Sequence, residues 1–470
     1  MATGKALDGK PYAGNPHVRF DEGEVAPATT PRRGSLLYIV KLLLDRKREG
    51  RELAGTDIRA LVAAYTQGGV PDYQMAAFAM AVCCRGMTDA ETQALTEAMR
   101  DSGTCLDWAG LSAPTADKHS TGGVGDKLSL VVQPLAAACG LAVPSLTGRG
   151  LGLTGGTADK MESIPGYVAA LSLADYRKVV ADCGCSLTVQ TAEIAPADRK
   201  LYALRDVTGT VPSIPLIVAS ILSKKLAEGA RTLVFDVKCG AGAFMKTRDE
   251  AVALAHALVK GAKGAGRRAA ALVTAMDEPL GFAVGNANEV REALDVLMGR
   301  PRARDVAALS VRLAAWMVSL ARNQPLADAE ALCRRNLENG AAYQRFARMV
   351  ALQGGDLEAF RRQLMEPVPV RMAVAGRAGF VAAVDAEKVA RAAFLLGAGR
   401  ETAQAAIDVR AGVDLCVARG DRVEAGAPLA RVATATRPER LEEAAALVQE
   451  AVAWADEPPP ARNLVLEEIA

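Results

Sequence analysis

The run LSLVVQPLAAACGLAVPSL, residues 128–146, indicates the type of fold. It contains two short apolar, β-type runs, Leu128–Val132 and Leu141–Leu146, separated by an Ala-rich stretch that is typical of a helix. Two more β-type runs, Thr232–Val237 and Ala270–Thr274, occur further along the chain among Ala-rich helical sequence. Strands that alternate with helices predict an α/β layer built on a mainly parallel sheet.

Helical sequence flanks and interrupts this layer. Apolar residues recur every three or four positions in four short segments near the start of the chain, which are Leu36–Leu44, Asp57–Ala64, Gln74–Cys84 and Asp89–Met99. A later helical stretch, Ala195–Glu228, is more similar to these segments than to its own neighbours. We therefore expect it to fold back onto them, which makes the helical domain discontinuous.

The C-terminal region has a different sequence pattern. Gly379–Val384 is strand-like, and Gly412–Thr434 has turn signals between short strands, similar to the hairpins of biotinyl or lipoyl domains. Such carriers hold a modified Lys at a hairpin tip, and no Lys follows Lys388. We therefore predict an α/β part with a barrel-like hairpin region of structural role.

The predicted organisation is an α/β, multi-domain chain in which the large domain has a central mixed sheet. Its parts are a flexible tail (1–33), a small discontinuous helical domain (34–104 and 195–228), a large α/β domain (113–190 and 230–366) and a C-terminal α/β part (367–470).

Composition excludes several classes of function. The 56 basic and 54 acidic residues leave a net charge of +2, which indicates no polyanionic or membrane-surface partner. Aromatic residues, at 4%, are too few for single-stranded nucleic-acid platforms, and we predict no membrane span. Nine scattered Cys and three His fit neither a disulfide framework nor a zinc site, which favours a reducing cytoplasm.

The densest chemical signal is the segment 117–126, DKHSTGGVGD. Its glycines free backbone N–H groups to face an anion, while Lys118, Ser120, Thr121 and the later Ser129 add charge and hydroxyl groups. The segment is not a Walker A loop, because Asp126 stands where Gly should precede the Lys. It reads as a phosphate cradle, with a simple polar turn as the alternative.

A second glycine-rich segment, residues 147–157, has Gly150, Gly152 and Gly155 in G-x-G-x-x-G register. Too few residues follow before the breaker Pro165-Gly166 for the crossover helix of a dinucleotide fold, so that match is weak. Thr157 followed by Asp159 instead looks like a helix start. The two loops could clasp one phosphate.

A third signal lies on the helix predicted at Pro212–Glu228. Ile217, Ser220 and Lys224 share one face of this apolar helix, an arrangement that suits the ring and edge of a flat heterocycle. The alternative is that Lys224 and Lys225 extend from the helix C-terminus into solvent, where cations are favoured.

Two residues outside that helix are further candidates. His119, in a polar motif beside Lys118, is a candidate proton donor. Phe244, in a stretch of small residues, could cover a ring or belong to the core.

Through these motifs, the sequence resembles the pyrimidine nucleoside phosphorylase and thymidine phosphorylase family. The matching motifs are residues 118–126, residues 148–152 with 154–157, and residues 195–198 through 224–226. The resemblance implies reversible phosphorolysis, in which inorganic phosphate attacks C1′ of a pyrimidine nucleoside and releases the base and an α-pentose 1-phosphate. It also implies a homodimer joined through the helical domain, with phosphate as co-substrate and no cofactor.

The resemblance further implies the site residues. The catalytic residues would be His119, Arg205 and Lys224. Phosphate would be bound by Lys118, Ser120, Ser129, Thr147 and Thr157. The base would contact Arg205, Ser220, Lys224, Leu151, Val211, Ile217 and Phe244. The chemistry agrees, because negative charge that develops on the departing base can be stabilised by cations and by a hydrogen bond or proton from His119 at O2.

The chain departs from the family pattern at several positions. Thr147 replaces a usual Ser, and Leu153 replaces a usual His. Ser145 stands where broad-specificity members have Lys and thymidine-selective members have Met. The choice between thymidine and uridine therefore stays open.

Another departure concerns a potassium ion that some relatives bind. The matching positions are Gly125, Lys127, Leu280, Ala283 and Glu292, and those relatives have Thr where this chain has Lys127. Our hypothesis is that the Lys127 ammonium takes the place of the ion and pairs with Glu292.

Two other functions fit the sequence less well. Anthranilate phosphoribosyltransferase has a similar build, but it handles pyrophosphate with magnesium, and residues 241–243, Ala-Gly-Ala, offer no paired acids. A nucleoside-binding or biotinyl-type carrier protein is disfavoured by the missing carrier Lys and by the intact set of Lys118, His119, Arg205 and Lys224.

Overall fold

The structure is a computed structural model that describes residues 33–150, 153, 155–300, 302–402 and 405–470. The predicted flexible tail, apart from Arg33, lies outside the described residues, and so does Leu151. Within the described ranges, no helix combines the length and apolar character needed to cross a membrane.

The helical domain is discontinuous, as predicted. Its helices are α1 (Arg33–Arg48), α2 (Gly55–Thr66), α3 (Asp72–Arg85), α4 (Asp89–Arg100), α8 (Pro196–Val207) and α9 (Ile214–Ala227). One buried cluster joins Ile58, Phe78 and Leu95 of the first segment to Leu201 and Leu216 of the second. Each early helix buries one apolar face, which is why its apolar residues recur every three or four positions in the sequence.

The α/β domain is built on a mixed sheet of four strands in the order β1-β4-β5-β13. The strands are β1 (Ala116–Ser120), β4 (Thr232–Cys239), β5 (Arg268–Ala275) and β13 (Val465–Ile469). The first three are parallel and β13 pairs antiparallel with β5. A separate parallel pair consists of β2 (Val143–Thr147) and β3 (Cys185–Val189).

The prediction of a strand at Leu128–Val132 was wrong. These residues begin helix α5 (Leu128–Ala138), in which nearly every side chain is buried. Helices α12 (Arg304–Arg322) and α14 (Ala341–Leu352) pack against it. A helix covered on all sides has no polar face, so its sequence shows no helical period, and the pair Val131-Val132 adds a strand preference that tertiary packing overrides.

The remaining elements of this domain surround the sheets. They are α6 (Thr157–Met161), α7 (Leu173–Cys183), α10 (Arg248–Gly264), β6 (Ala283–Gly285), α11 (Ala287–Leu297), α13 (Leu326–Glu338) and α15 (Leu357–Met365).

The C-terminal part is α/β but its described strands form no closed barrel. The elements are β7 (Val370–Val374), β8 (Gly379–Val384), α16 (Ala386–Leu395), β9 (Gly412–Leu415), β10 (Arg422–Val423), β11 (Pro428–Ala433), a 3-10 turn (Pro438–Arg440), α17 (Leu441–Ala451) and β12 (Val452–Ala455). They make two open sheets, β6-β9-β11-β7 and β10-β8-β12. Because β6 comes from the α/β domain, the first sheet joins the two parts.

Candidate active site

Two of the predicted phosphate residues lie on a strand rather than in a loop. Lys118 and Ser120 belong to β1, and the turn starts only at Thr121. Gly122 and Gly125 adopt φ values of +89° and +68°, which favour glycine, and they turn the chain into α5. The hydroxyl of Thr121 accepts a hydrogen bond from the backbone N–H of Lys238 at 2.9 Å, so it has a structural partner.

The Lys118 ammonium is buried in the α/β domain. Its side chain is 0% exposed, and Nζ has no hydrogen-bond partner among the described residues. The nearest carboxylate oxygen, Oδ2 of Asp236, lies 3.7 Å away and also pairs with Lys238 at 2.7 Å. A buried cation without hydrogen bonds is costly, so this position favours an anionic ligand.

Asp126 is a charged neighbour of Lys118 and Ser120. Ser120 Oγ donates a hydrogen bond to Asp126 Oδ2 at 2.5 Å and accepts one from the Gly122 N–H at 3.2 Å. Burial acts to raise the pKa of Asp126, but the charges of Lys118, Lys238 and Lys160 outweigh it and lower the pKa. Asp126 is therefore ionised, and Ser120 must turn its hydroxyl away from it to donate to phosphate.

The other predicted phosphate residues lie at the ends of elements. Ser129 is in the first turn of α5, Thr147 ends β2 and Thr157 begins α6, and all three are half-buried. The backbone N–H of Ala116 bonds to the carbonyl of Ala142 at 3.0 Å, which places β2 parallel to β1. Ser120 and Thr147 therefore end their strands at the same edge.

The second glycine-rich loop already holds an anion of its own. Oδ2 of Asp159 accepts the backbone N–H groups of Gly150 at 2.6 Å and Gly156 at 3.2 Å. The predicted helix start at Thr157 is confirmed by α6. These amides are not free for phosphate, so any clasp by this loop would use the Thr147 and Thr157 hydroxyls instead.

His119 follows Lys118 on β1 and is half-buried. Its pKa lies well below the ordinary value, first because of burial and then because of the charges of Lys225, Lys224 and Lys118, which outweigh the opposite effect of Asp126. The ring is therefore neutral at neutral pH. This favours the predicted hydrogen-bonding role of His119 over that of a charged acid.

The predicted base-edge pair on α9 comes together with a third residue. The Lys224 ammonium lies 2.6 Å from Asp198 Oδ2 and 2.9 Å from Ser220 Oγ, and its side chain is 19% exposed. Asp198, on α8, supplies the counter-charge that a lysine in an apolar helix needs. Lys224 is thus fixed in place and does not extend freely into solvent.

Arg205 is buried, and its guanidinium donates to three backbone carbonyls, those of Thr210 at 3.2 Å, Val211 at 2.8 Å and Leu216 at 3.0 Å. Burial lowers its pKa, and Asp198 opposes that shift. These bonds shape the turn between α8 and α9 and use three of the five N–H groups of the guanidinium.

The predicted ring contacts differ in burial. Ile217 is half-buried and packs against the cluster that contains Val218 and Leu222, and Val211 is half-buried. Phe244 is 60% exposed, so it is not a core residue.

A buried charged cluster that the sequence did not reveal links the two halves of the site. Lys225 bonds to Oδ2 of Asp117, to Glu228 Oε2 at 2.9 Å and to the Leu146 carbonyl at 3.0 Å. Burial raises the pKa of Glu228 well above its ordinary value, and Asp117 adds to the shift. The cluster ties α9, next to Lys224, to β1, two residues before His119. The only signal in the sequence was the doubled Lys in an apolar helix.

The Lys127 ammonium lies among oxygen atoms that could also hold a cation. It donates to the carbonyls of Leu280 at 2.7 Å and Ala283 at 2.9 Å and to Glu292 Oε2 at 2.7 Å. Burial would lower the pKa of Lys127, but Glu292 and Glu289 outweigh it and raise the pKa. Gly125 lies against the same carbonyls, since a Cβ there would be 2.5 Å from the Leu280 oxygen. In the described residues, no group of His, Cys, Asp and Glu is arranged to hold a metal ion.

Comparisons with known proteins agree with this geometry. Residues 41–103 match the helical bundle domain of a glycosyl transferase family, residues 112–343 match its a/b domain, and residues 380–455 match a pyrimidine nucleoside phosphorylase C-terminal domain. The chain is 46% identical over 434 residues to the thymidine phosphorylase of Mesorhizobium japonicum, covering 91% of this chain and 98% of that protein. It is 43% identical to the pyrimidine-nucleoside phosphorylase of Staphylococcus haemolyticus, covering 82% and 90%.

A solved structure shares the fold. Anthranilate phosphoribosyltransferase from Thermus thermophilus superposes with a TM-score of 0.54 at 20% identity, covering 66% of this chain and 98% of that one. At this identity the likeness concerns architecture alone.

Proposed function

Because the chain belongs to the thymidine and pyrimidine-nucleoside phosphorylase family, we propose that it catalyses the reversible phosphorolysis of pyrimidine nucleosides as a pentosyltransferase. Inorganic phosphate is the co-substrate, and the products are the free base and an α-pentose 1-phosphate. The substrate class is thymidine, with deoxyuridine and uridine as further candidates.

The observation that carries the proposal is the buried Lys118 ammonium, which has no hydrogen-bond acceptor in the described part of the chain and lies next to His119 on the same strand. A phosphate dianion bound there gains a direct charge-assisted hydrogen bond that no described residue supplies. Ser120, Ser129, Thr147 and Thr157 would add hydroxyl donors around it.

The base would bind on the opposite side, against α9. Lys224, held by Asp198 and Ser220, would place a fixed positive charge at the edge of the ring. As the glycosidic bond breaks, negative charge develops on the base oxygens, where Lys224 and Arg205 stabilise it. Neutral His119 would donate a hydrogen bond to O2, and Leu151, Val211, Ile217 and Phe244 would contact the ring.

Domain closure is part of the proposal. The phosphate residues lie on the α/β domain, whereas Ser220 and Lys224 lie on the helical domain, whose proposed limits are 34–104 and 195–228. Closure would bring the nucleophile to C1′. The proposed limits of the α/β domain are 113–190 and 230–366, with the C-terminal part at 367–470.

We also propose a homodimer through the helical domain. Helices α1 and α3, which pack against each other, carry several exposed apolar side chains, namely Tyr38, Ile39, Leu42, Tyr73 and Met80. Such a patch is costly in water and suits a self-complementary contact. Leu42→Glu should shift the protein to a monomer in sedimentation velocity, and an unchanged dimer would refute this surface.

The cation requirement and the compartment complete the proposal. Lys127 would replace a potassium ion, so turnover would need no added cation. All nine cysteines are free thiols, which supports a reducing cytoplasm.

The test is direct. Purified protein is mixed with thymidine, deoxyuridine or uridine, with and without inorganic phosphate, and base release is followed by the ultraviolet change. Phosphate-dependent cleavage is expected, and cleavage of none of the three would refute the proposal. The ratio of rates on deoxyuridine and uridine tests how the site around Ser145 treats the 2′-hydroxyl.

A further inference from the structure

Arg400, in the C-terminal part, reaches into the site through Asp159. Its Nη1 donates to Oδ1 of Asp159 at 2.6 Å, and the two side chains are 11% and 1% exposed. Arg149 also approaches Oδ1, at 3.4 Å, but it is 42% exposed and bonds mainly to Glu162. Arg400 is therefore the principal, buried counter-charge of Asp159.

Asp159 in turn closes the loop that carries two proposed phosphate residues. Its second oxygen, Oδ2, holds the amide of Gly150, three residues after Thr147, and the amide of Gly156, next to Thr157. The two ends of the loop touch, because a Cβ on Gly156 would lie 2.2 Å from the Gly150 nitrogen. One carboxylate thus fixes the spacing of both threonines.

A second contact from the same segment supports this loop. Asn286 Nδ2 donates to the carbonyl of Ala398, two residues before Arg400, at 2.8 Å. A Cβ on Gly155 would lie 2.7 Å from Asn286 Oδ1. Residues 398–400 therefore reach the loop at two points, indirectly at Gly155 through Asn286 and directly at Asp159.

We infer that Arg400 is a positioning residue for phosphate, which acts from the C-terminal part by orienting Asp159 and hence Thr147 and Thr157. Arg400 contacts neither substrate in this scheme. The inference rests on the proposed function. Its specific consequence is that the C-terminal part tunes the affinity for phosphate, while the base side, on α8 and α9, is independent of it.

The experiment compares R400M and R400K with R437M. Arg437 is a matched control, since it pairs with Glu401 at 3.0 Å in the same part of the chain but lies outside this contact chain. Steady-state rates are measured against phosphate and against thymidine separately. Loss of a residue that orients a ligand group typically costs about ten-fold or more, so R400M should raise KM for phosphate about ten-fold and change KM for thymidine less than about two-fold. R400K keeps the positive charge but lacks the planar guanidinium, so its KM for phosphate should lie between those of the parent and R400M.

Thermal unfolding with inorganic phosphate gives a second readout. R400M should show a smaller phosphate-induced rise in Tm than the parent, whereas R437M should keep the full rise. A merely structural Arg400 would lower Tm equally with and without phosphate. The double variant D159N/R400M should show the same phosphate-induced rise in Tm as D159N alone, because Arg400 and Asp159 act along one chain of contacts.

The outcomes separate the two proposals. A parent without phosphate-dependent cleavage refutes the proposed function. An active parent whose R400M variant keeps its KM for phosphate, or raises both KM values equally, refutes the role of Arg400. If R400M fails to fold, R400K and the R437M control decide the question by the same two readouts.

Discussion

Replacing Lys127 by Thr should turn a stable chain into one that depends on potassium. The Lys127 side chain is 0% exposed and donates to two carbonyls and to Glu292 within 2.7–2.9 Å. K127T removes the cation and leaves these oxygen atoms facing one another. It also installs the residue that the family resemblance gives to potassium-binding relatives.

The expected loss in the free energy of unfolding depends on the hydrogen bonds that Glu292 keeps. Breaking a buried ion pair costs about 3–5 kcal/mol. Glu292 still accepts the amides of Phe282 at 2.9 Å and Ala283 at 3.2 Å, so we expect the lower end of that range. A loss of about 3 kcal/mol corresponds to a fall in Tm of roughly 6–12 °C for a large domain.

Potassium should then rescue the variant. A cation present at about 100 times its Kd returns about 2.7 kcal/mol, which nearly offsets the loss. The assay is thermal unfolding of the parent and K127T in potassium chloride and in choline chloride at equal ionic strength. K238T is the matched control, because Lys238 also pairs with a buried carboxylate, Asp236, at 2.7 Å, but among the described residues its ammonium donates to the Thr274 hydroxyl and not to a pair of carbonyls. K238T should lose stability, and potassium should not restore it.

Two results would refute this reasoning. One is K127T unfolding at the same temperature in both salts, which would mean that the oxygen atoms do not select a cation. The other is a parent that strictly requires potassium for turnover, which would mean that the Lys127 ammonium is no substitute for the ion.

Three further predictions concern the cations and the imidazole. K224A should lower kcat/KM for thymidine at least about 100-fold through loss of charge at the base edge, while the exposed-lysine control K178A stays near the parent rate. K225M should cost about 3–5 kcal/mol in urea unfolding because it removes the cation that pairs with the buried side chains of Asp117 and Glu228, and a loss below about 1 kcal/mol would contradict the cluster. The lowered pKa of His119 means that the unfolded chain binds its proton first as pH falls. The free energy of unfolding should therefore fall with pH below about 6.5, by at most about 1.4 kcal/mol per pH unit from this group, and H119N should remove that part of the slope.

The fold was predictable where one face of an element is exposed. The helices α1 to α4 each bury one face, so the period of their apolar residues marked them. The strands β4 and β5 were found as short apolar runs. Helix α5 was missed because packing on all sides removes the polar face that gives a helix its period, and the same sequence then fits a strand.

The site was predictable where the partners are local. Ser220 and Lys224 are one turn apart on one helix, so their contact follows from spacing alone. The counter-charge of Lys224, Asp198, lies on another helix, and Arg400 is 241 positions from Asp159. No local pattern carries such contacts, since they arise only when separate elements pack together.

The charges around His119 link the two substrate sites. Lys224 and Lys225 already have carboxylate partners, whereas Lys118 has no hydrogen-bonded acceptor among the described residues, although all three lower the pKa of His119. A phosphate dianion on Lys118 would offset part of that effect, so we expect the pKa of His119 to rise when phosphate binds. Phosphate binding and protonation of the imidazole would then be coupled, so that each favours the other. An imidazole pKa that stayed constant in NMR titrations with and without phosphate would break this link.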